Sequence, residues 1–76
     1  MNDERRKKLR GLMEQVEAAK GELETIREEE ALYFDNIPEN MQGSDKYQKA
    51  EQAIENLDEA ISALESFADN IEAAVE

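Results

Sequence analysis

The strongest constraint on this chain is the spacing of its apolar residues, which step by three and four along each half. The ladder in the second half is Tyr47, Ala50, Ile54, Leu57, Ile61, Leu64, Ala68, Ile71 and Val75. The ladder in the first half is Leu9, Leu12, Val16, Ala19, Leu23, Ile26, Glu30 and Tyr33, which only Glu30 interrupts. A strand would alternate with period two, whereas this spacing is the a/d seam of a helix that packs along its length against a partner. The predicted fold class is therefore all-α.

Capping residues and a proline mark the ends of the two helices. Asn2 or Asp3 is placed to cap the first helix, and Ser44 is placed to cap the second. Pro38 lacks a backbone N–H and restricts the residue before it, so the first helix should stop by about Asn36. The predicted elements of the single domain 1–76 are a helix over about 3–36, a corner over 37–44 and a helix over about 45–75.

Further predictions concern the conformation of the corner and the role of the glycines. Pro38 to Met41 predicts one isolated helical turn, closed by Gly43 in the left-handed conformation. A glycine inside a helix costs about 1 kcal/mol relative to alanine. Gly11 and Gly21 in the first helix therefore predict a close approach by another helix.

An antiparallel hairpin of two such helices is too small to bury a core by itself. The residues that precede each a position in the second helix are also apolar, namely Ala53, Ala60, Phe67 and Ala74. Helices with an apolar edge beyond the a/d seam have more than one neighbour. We expect two copies to complete a four-helix bundle, as a homo-oligomeric dimer or tetramer, since two-fold pairing is the commonest assembly of identical chains. A partner protein that supplies the missing helices is the alternative.

The composition excludes several classes of chemistry. The 76 residues include no Cys and no His, which removes disulfides, Cys-based metal sites and the commonest general base. A thin bundle also offers little cleft in which two carboxylates acquire separate pKa values. We expect no enzyme activity, no cofactor and no metal. With no long apolar run and no signal peptide, we expect a cytoplasmic protein without membrane contact.

Charge is distributed unevenly along the chain, whose net charge is −11. Residues 1–10 contain five cations and two acids, a net charge of +3. We expect this basic segment to pair within the hairpin with Glu65, Asp69, Glu72 and Glu76; contact with a nucleic acid or a nucleotide phosphate is the alternative. The overall negative charge argues against binding to duplex DNA.

The outer faces of the second helix are acidic. The carboxylates concerned are Glu51, Glu55, Asp58, Glu59, Glu65, Asp69 and Glu72. Such a face ordinarily keeps a helix solvated. It is also suited to imitate a phosphate backbone and to occupy a basic groove on another protein.

The corner is the candidate binding site. The residues that we select there are Arg27, Tyr33, Phe34, Asn40, Gln42 and Tyr47. Aromatic planes, amides and a guanidinium are the groups that recognise a nucleotide or a peptide. The alternative is that the aromatic rings merely seal the end of the bundle.

The corner also contains a motif: an aromatic residue, Asp or Asn, Pro-Glu-Asn, a hydrophobic residue, Gln-Gly-Ser and then a Tyr. The matching residues are Phe34, Asn36, Pro38, Glu39, Asn40, Met41, Gln42, Gly43, Ser44 and Tyr47. About half of the chain, from Glu30 to about Phe67, resembles small acidic helical-hairpin proteins encoded in phages and prophages of Firmicutes. That family brings no established activity, and the resemblance implies a role in binding and blocking a host component.

We therefore expect a non-enzymatic, self-associating binding module of the phage type. Inhibition of a host defence would follow from blocking a host protein with the acidic faces, or from sequestering a small signalling nucleotide at the corner or the basic segment. A structural coiled-coil accessory protein without a ligand is the alternative.

Overall fold

Two long helices and one short turn account for nearly the whole chain. The computed structural model describes all 76 residues and contains α1 (Asp3–Asp35), a 3₁₀ turn (Glu39–Met41) and α2 (Asp45–Val75). The helices lie antiparallel and contact each other along a rod of 59 × 15 × 13 Å. The prediction of an all-α helical hairpin is confirmed.

Side-chain caps begin both helices. Asn2 accepts a hydrogen bond from the backbone N–H of Arg5 at 2.8 Å, and the Ser44 hydroxyl accepts one from the N–H of Tyr47 at 3.4 Å. Each cap satisfies one of the free N–H groups in the first turn of its helix.

The corner turns without a left-handed residue. No glycine has a positive φ, so the predicted conformation of Gly43 is wrong. The chain instead follows the 3₁₀ turn, and both the N–H and the hydroxyl of Ser44 donate to the carbonyl of Met41, at 3.0 Å and 2.6 Å. These two bonds close the turn that a left-handed glycine was expected to close.

The interface of α2 follows the predicted ladder. Every member from Tyr47 to Val75 is at least half-buried, and Ala50 is fully buried. The uninterrupted a/d ladder of α2 is therefore the face that packs against α1.

The interface of α1 differs from the predicted ladder at every second position. The residues of α1 that line the hairpin seam are Leu9, Met13, Val16, Lys20, Leu23, Arg27, Glu30 and Phe34. The predicted Leu12, Ala19, Ile26 and Tyr33 are instead exposed. Lys and Arg tolerate such seam positions because their aliphatic stems cover apolar surface while the charged ends reach the edge.

The two glycines of α1 do not mark a helix contact. A Cβ added to Gly11 or to Gly21 would meet no other atom within 4 Å. The prediction of a close approach at these positions is wrong, since both lie on the open side of α1.

The isolated hairpin leaves most of its apolar surface accessible. Ala50 is the only buried residue of the 76. The chain exposes 5822 Å², whereas a compact monomer of 8.7 kDa would expose about 4,700 Å². Neither helix carries an apolar stretch of the length needed to cross a membrane.

Candidate functional site

Two of the predicted site residues lie inside the corner rather than on its surface. The rings of Phe34 and Tyr47 stack with centroids 4.5 Å apart and planes inclined by 32°. Both side chains are half-buried, and Tyr47 lies one turn before the buried Ala50 in α2. Aromatic pairs in this geometry stabilise a contact beyond the area that they cover. The stacked pair therefore holds the corner together, as the sealing interpretation predicts.

A shallow depression lies on the outer surface of the corner. It has a volume of about 360 Å³. Its lining residues are Tyr33, Asn36, Ile37, Pro38, Met41 and Lys46. Tyr33 is the only one of the six predicted site residues that lines it. The cation that lines this depression is Lys46, which was not among the residues predicted from the sequence. Its position two residues after the Ser44 cap is the signal that could have placed it at the corner.

Arg27 is directed to the partner helix rather than to the corner. Its Nε lies 2.9 Å from Oδ1 of Asp58, and its second guanidinium nitrogen lies 3.4 Å from Oδ2. The hydrogen bond that Arg27 donates to Asp58 raises the pKa of Arg27 above its ordinary value. The side-chain amides of Asn40 and Gln42 are exposed and make no hydrogen bond within the chain. The structure thus does not gather the six predicted residues into one site.

A second ion pair lies on the same side of the hairpin as the first. Nζ of Lys20 is 3.2 Å from Glu65 and 3.9 Å from Glu24. The hydrogen bond to Glu65 is the largest cause of the raised pKa of Lys20. A groove of about 220 Å³, lined in part by Arg10 and Glu72, lies on the same side near the termini. We call the side of the hairpin that carries the Arg27–Asp58 and Lys20–Glu65 pairs the ion-paired side.

The basic segment at the start of α1 does not form the predicted ion pairs with the end of α2. Nε of Arg6 donates to the backbone carbonyl of Val75 at 2.9 Å, and its guanidinium contacts Asp3 at 3.1 Å. Lys8 contacts Glu4 at 3.8 Å. Arg6 thereby occupies the negative end of α2, where a cation is favourable, and the expected partner carboxylates remain free of the segment.

The opposite side of the hairpin is an apolar strip along its whole length. Its members are Leu12, Ala19, Ile26 and Tyr33 of α1 with Ala53, Ala60, Phe67 and Ala74 of α2. Each precedes a seam residue in its helix, and an antiparallel pair places such equivalent heptad edges on one side. We call this strip the apolar flank. Its four large side chains are between 41% and 50% exposed.

The apolar flank is also nearly free of acids on its α2 edge. The α2 residues that border it are Lys49, Asn56, Ala63 and Asn70. None is a carboxylate, although the chain carries a charge of −11. The acids of α2 occupy the ion-paired side and the outer faces. On α1 the corresponding border contains Glu22 and Glu29.

No group of three or more acidic side chains is placed to hold a metal ion. The likeness of the corner to phage proteins stays a prediction. No known protein family, curated protein or solved structure matches this chain.

Proposed function

We propose that this protein is a non-enzymatic, self-associating binding module in which two hairpins join through their apolar flanks into a four-helix bundle. The observation that carries the proposal is the apolar flank, whose four large side chains are exposed and whose α2 edge lacks carboxylates. A strongly acidic chain can approach its own copy only where its acids are absent.

The surface areas support this association. The hairpin exposes about 1,100 Å² more than a compact chain of its mass. A rod side 59 Å long and 15 Å wide offers about 900 Å², close to what one partner contributes to a standard interface. Covering one side would therefore return the chain to the exposure of an ordinary folded protein.

The apolar ladder predicted from the sequence of α1 supports the same assembly. Half of that ladder, beginning with Leu9 and Val16, lies in the hairpin seam, and the other half lies in the apolar flank. One helix in a four-helix bundle contacts two neighbours through adjacent stripes that share residues. The exposed half of the ladder is the stripe that a second neighbour would cover.

For a further ligand, the geometry favours a basic protein partner over a nucleotide. Arg27 is occupied by Asp58, and Phe34 is stacked within the corner, so the aromatic and cationic groups expected to hold a nucleotide are not presented together. The outer acids of α2, among them Glu55, Glu59 and Asp69, face away from the apolar flank and stay accessible in the bundle. Blocking of a basic host surface is thus the proposed mode of action.

Sedimentation velocity and circular dichroism between about 1 and 200 μM test the self-association. We expect a change from monomer to dimer with rising concentration and a parallel gain in helicity, since the dimer covers surface that the monomer leaves exposed. A monomer whose helicity is unchanged on dilution would contradict the proposal.

Thermal melting with a panel of nucleotides tests the choice of ligand. A compound that binds only the folded chain raises its melting temperature. We expect no shift at micromolar concentrations, and a specific shift would favour nucleotide sequestration instead. Absence of any basic protein partner in the presence of a stable dimer would favour the structural accessory role.

A further inference from the structure

We infer that α1 has two faces that fit α2, and that a hairpin without a partner turns α1 about its own axis to cover the apolar flank. This inference rests on the proposed function, because it describes the hairpin before a second copy is present. In the observed state α1 places one stripe in the seam and leaves a more apolar stripe in the flank. In the turned state, which we call the closed state, the two stripes exchange places.

The two stripes of α1 differ only at every second position. They share Leu9, Val16 and Leu23. The seam stripe is completed by Met13, Lys20, Arg27 and Phe34, and the flank stripe by Leu12, Ala19, Ile26 and Tyr33. Consecutive residues of an α-helix are about 100° apart, so a turn of about 50–60° exchanges the stripes. The shared residues remain against α2 throughout this turn.

The contacts at the two ends of the rod fix the register of the helices. Phe34 stacks on Tyr47 at the corner. Arg6, which is 28 residues before Phe34, bonds to Val75, which is 28 residues after Tyr47. The register is therefore constant from the corner to the termini.

In this register the flank stripe fits α2 without any sliding of the helices. Met13 lies level with Ala68 in the observed state. After the turn, Leu12 enters the seam between Ala68 and Ile71, as a knob enters a hole in a coiled coil. The other flank residues of α1 enter equivalent holes, because the ladder of α2 repeats every seven residues.

The closed state covers side chains that the observed state leaves exposed. Leu12, Ile26 and Tyr33 are 46%, 50% and 42% exposed in the observed state. At the corner Tyr33 takes the position of Phe34, whose ring has the same size. In the middle of the rod, Ala19 and Ile26 enter the seam in place of two cations. Apolar burial therefore favours the closed state in a hairpin that has no partner.

The two ion pairs between the helices permit the turn. The side chains of Lys20 and Arg27 are 24% and 37% exposed in the seam, and their partners Glu65 and Asp58 lie on the ion-paired side. A turn that brings the flank residues into the seam moves both cations toward that same side. Their long, flexible side chains keep the carboxylates within reach there. The ion pairs thus hold the register in both states without opposing the turn.

The closed state competes with self-association. It removes the α1 half of the apolar flank from the surface, so only a hairpin in the observed state pairs through its whole flank. The apparent Kd of the dimer is then the intrinsic Kd divided by the fraction of hairpins in the observed state. Each hairpin thereby limits its own dimerisation.

Thiol reactivity at two adjacent positions tests the turn, because the chain contains no native cysteine. Leu12→Cys and Met13→Cys are matched variants whose side chains exchange exposure between the two states. In dilute monomer we expect Met13→Cys to react with a maleimide several-fold faster than Leu12→Cys, because access limits the reaction of a buried thiol. Faster reaction of Leu12→Cys, or equal rates, would overturn the inference. These rates need no dimer, so they test the turn independently of the proposed function.

The double variant Lys20→Leu/Arg27→Leu tests the coupling to self-association. It makes the seam stripe the more apolar of the two and should hold the hairpin in the observed state. We expect its dimer Kd to fall several-fold, although the loss of two cations changes the net charge from −11 to −13 and repulsion alone would weaken the dimer.

Lys7→Leu/Arg10→Leu is the matched control, since it makes the same change of charge at exposed positions outside the seam. It should not tighten the dimer. Tightening by both double variants, or by neither, would overturn the coupling. A chain that stays monomeric at every concentration would overturn the proposed function instead, and the thiol rates would then decide the turn.

Discussion

The most direct test of the apolar flank replaces a single side chain at its centre. Ile26 is 50% exposed in the hairpin, so half of its surface remains to be covered by a second copy. Full burial of such a side chain contributes about 1.5–3 kcal/mol. The uncovered half therefore amounts to about 0.75–1.5 kcal/mol per chain and about 1.5–3 kcal/mol per dimer.

Ile26→Asp should accordingly weaken dimerisation by at least roughly 10- to 100-fold in Kd. The buried carboxylate adds a further penalty, because it has no cation opposite it. Sedimentation equilibrium measures the Kd directly. Circular dichroism of each variant below its Kd reports whether the hairpin itself has changed.

Thr25→Asp is the matched control, since it adds the same charge on the same helical turn but outside the flank. The Thr25 hydroxyl bonds only to the carbonyl of Gly21 in its own helix, at 3.2 Å. We expect its dimer Kd to stay within about threefold of the native value, as surface substitutions change stability by about 0.5 kcal/mol or less. Equal weakening by both variants would attribute the effect to net charge and would refute the role of the flank.

Four further perturbations probe the hairpin. Phe34→Ala should lower the free energy of unfolding by about 2 kcal/mol in urea titrations, roughly half the cost at a fully buried site; a loss below about 0.5 kcal/mol would contradict the sealing role of the aromatic pair. Because the hydrogen bond to Glu65 raises the pKa of Lys20 from its ordinary 10.5, the stability from this bond is fully present below pH 10.5 and is lost as the pH rises through the higher pKa of the folded chain. The melting temperature of the native chain should therefore fall more steeply above pH 10.5 than that of Lys20→Arg, whose guanidinium stays charged, and parallel curves would argue against this contribution. Ser44→Ala should destabilise α2 by about 1 kcal/mol through loss of its cap, measured by urea unfolding, and an unchanged midpoint would show that the cap is dispensable. Gly21→Ala should raise stability by up to about 1 kcal/mol, because the site is open and helical, whereas destabilisation would reveal a contact made by the second copy there.

The architecture was predictable because its signals are local. The spacing of apolar residues defines both helices, and Pro38 and Ser44 mark the corner by their own backbone and capping chemistry. In α2 the a/d ladder is apolar at all nine positions, which identifies the covered face despite the apolar edge beside it. The interface of α2 therefore follows from its sequence.

The interface of α1 was not predictable in the same way. This helix has two overlapping stripes that share Leu9, Val16 and Leu23, and the sequence favours the more apolar one. The structure selects the other stripe, in which Phe34 reaches Tyr47 and Arg27 reaches Asp58 across 31 residues of chain. Such choices depend on tertiary contacts that no local pattern contains. Arg27, the cation predicted for the corner site, bonds to Asp58 instead. The cation that lies beside Tyr33 in the structure is Lys46.

The contacts of the hairpin also differ in the conformational entropy that the chain loses when each one forms. Phe34 and Tyr47 are only 13 residues apart along the chain, whereas Arg6 and Val75 are 69 apart. Closing the longer loop from an unfolded chain costs about 1.5 kcal/mol more entropy. Once the corner is formed, however, each successive turn of the helices meets its partner with only a few new residues to order. We therefore expect folding to proceed from the corner toward the termini, and the free ends to be the first parts to open.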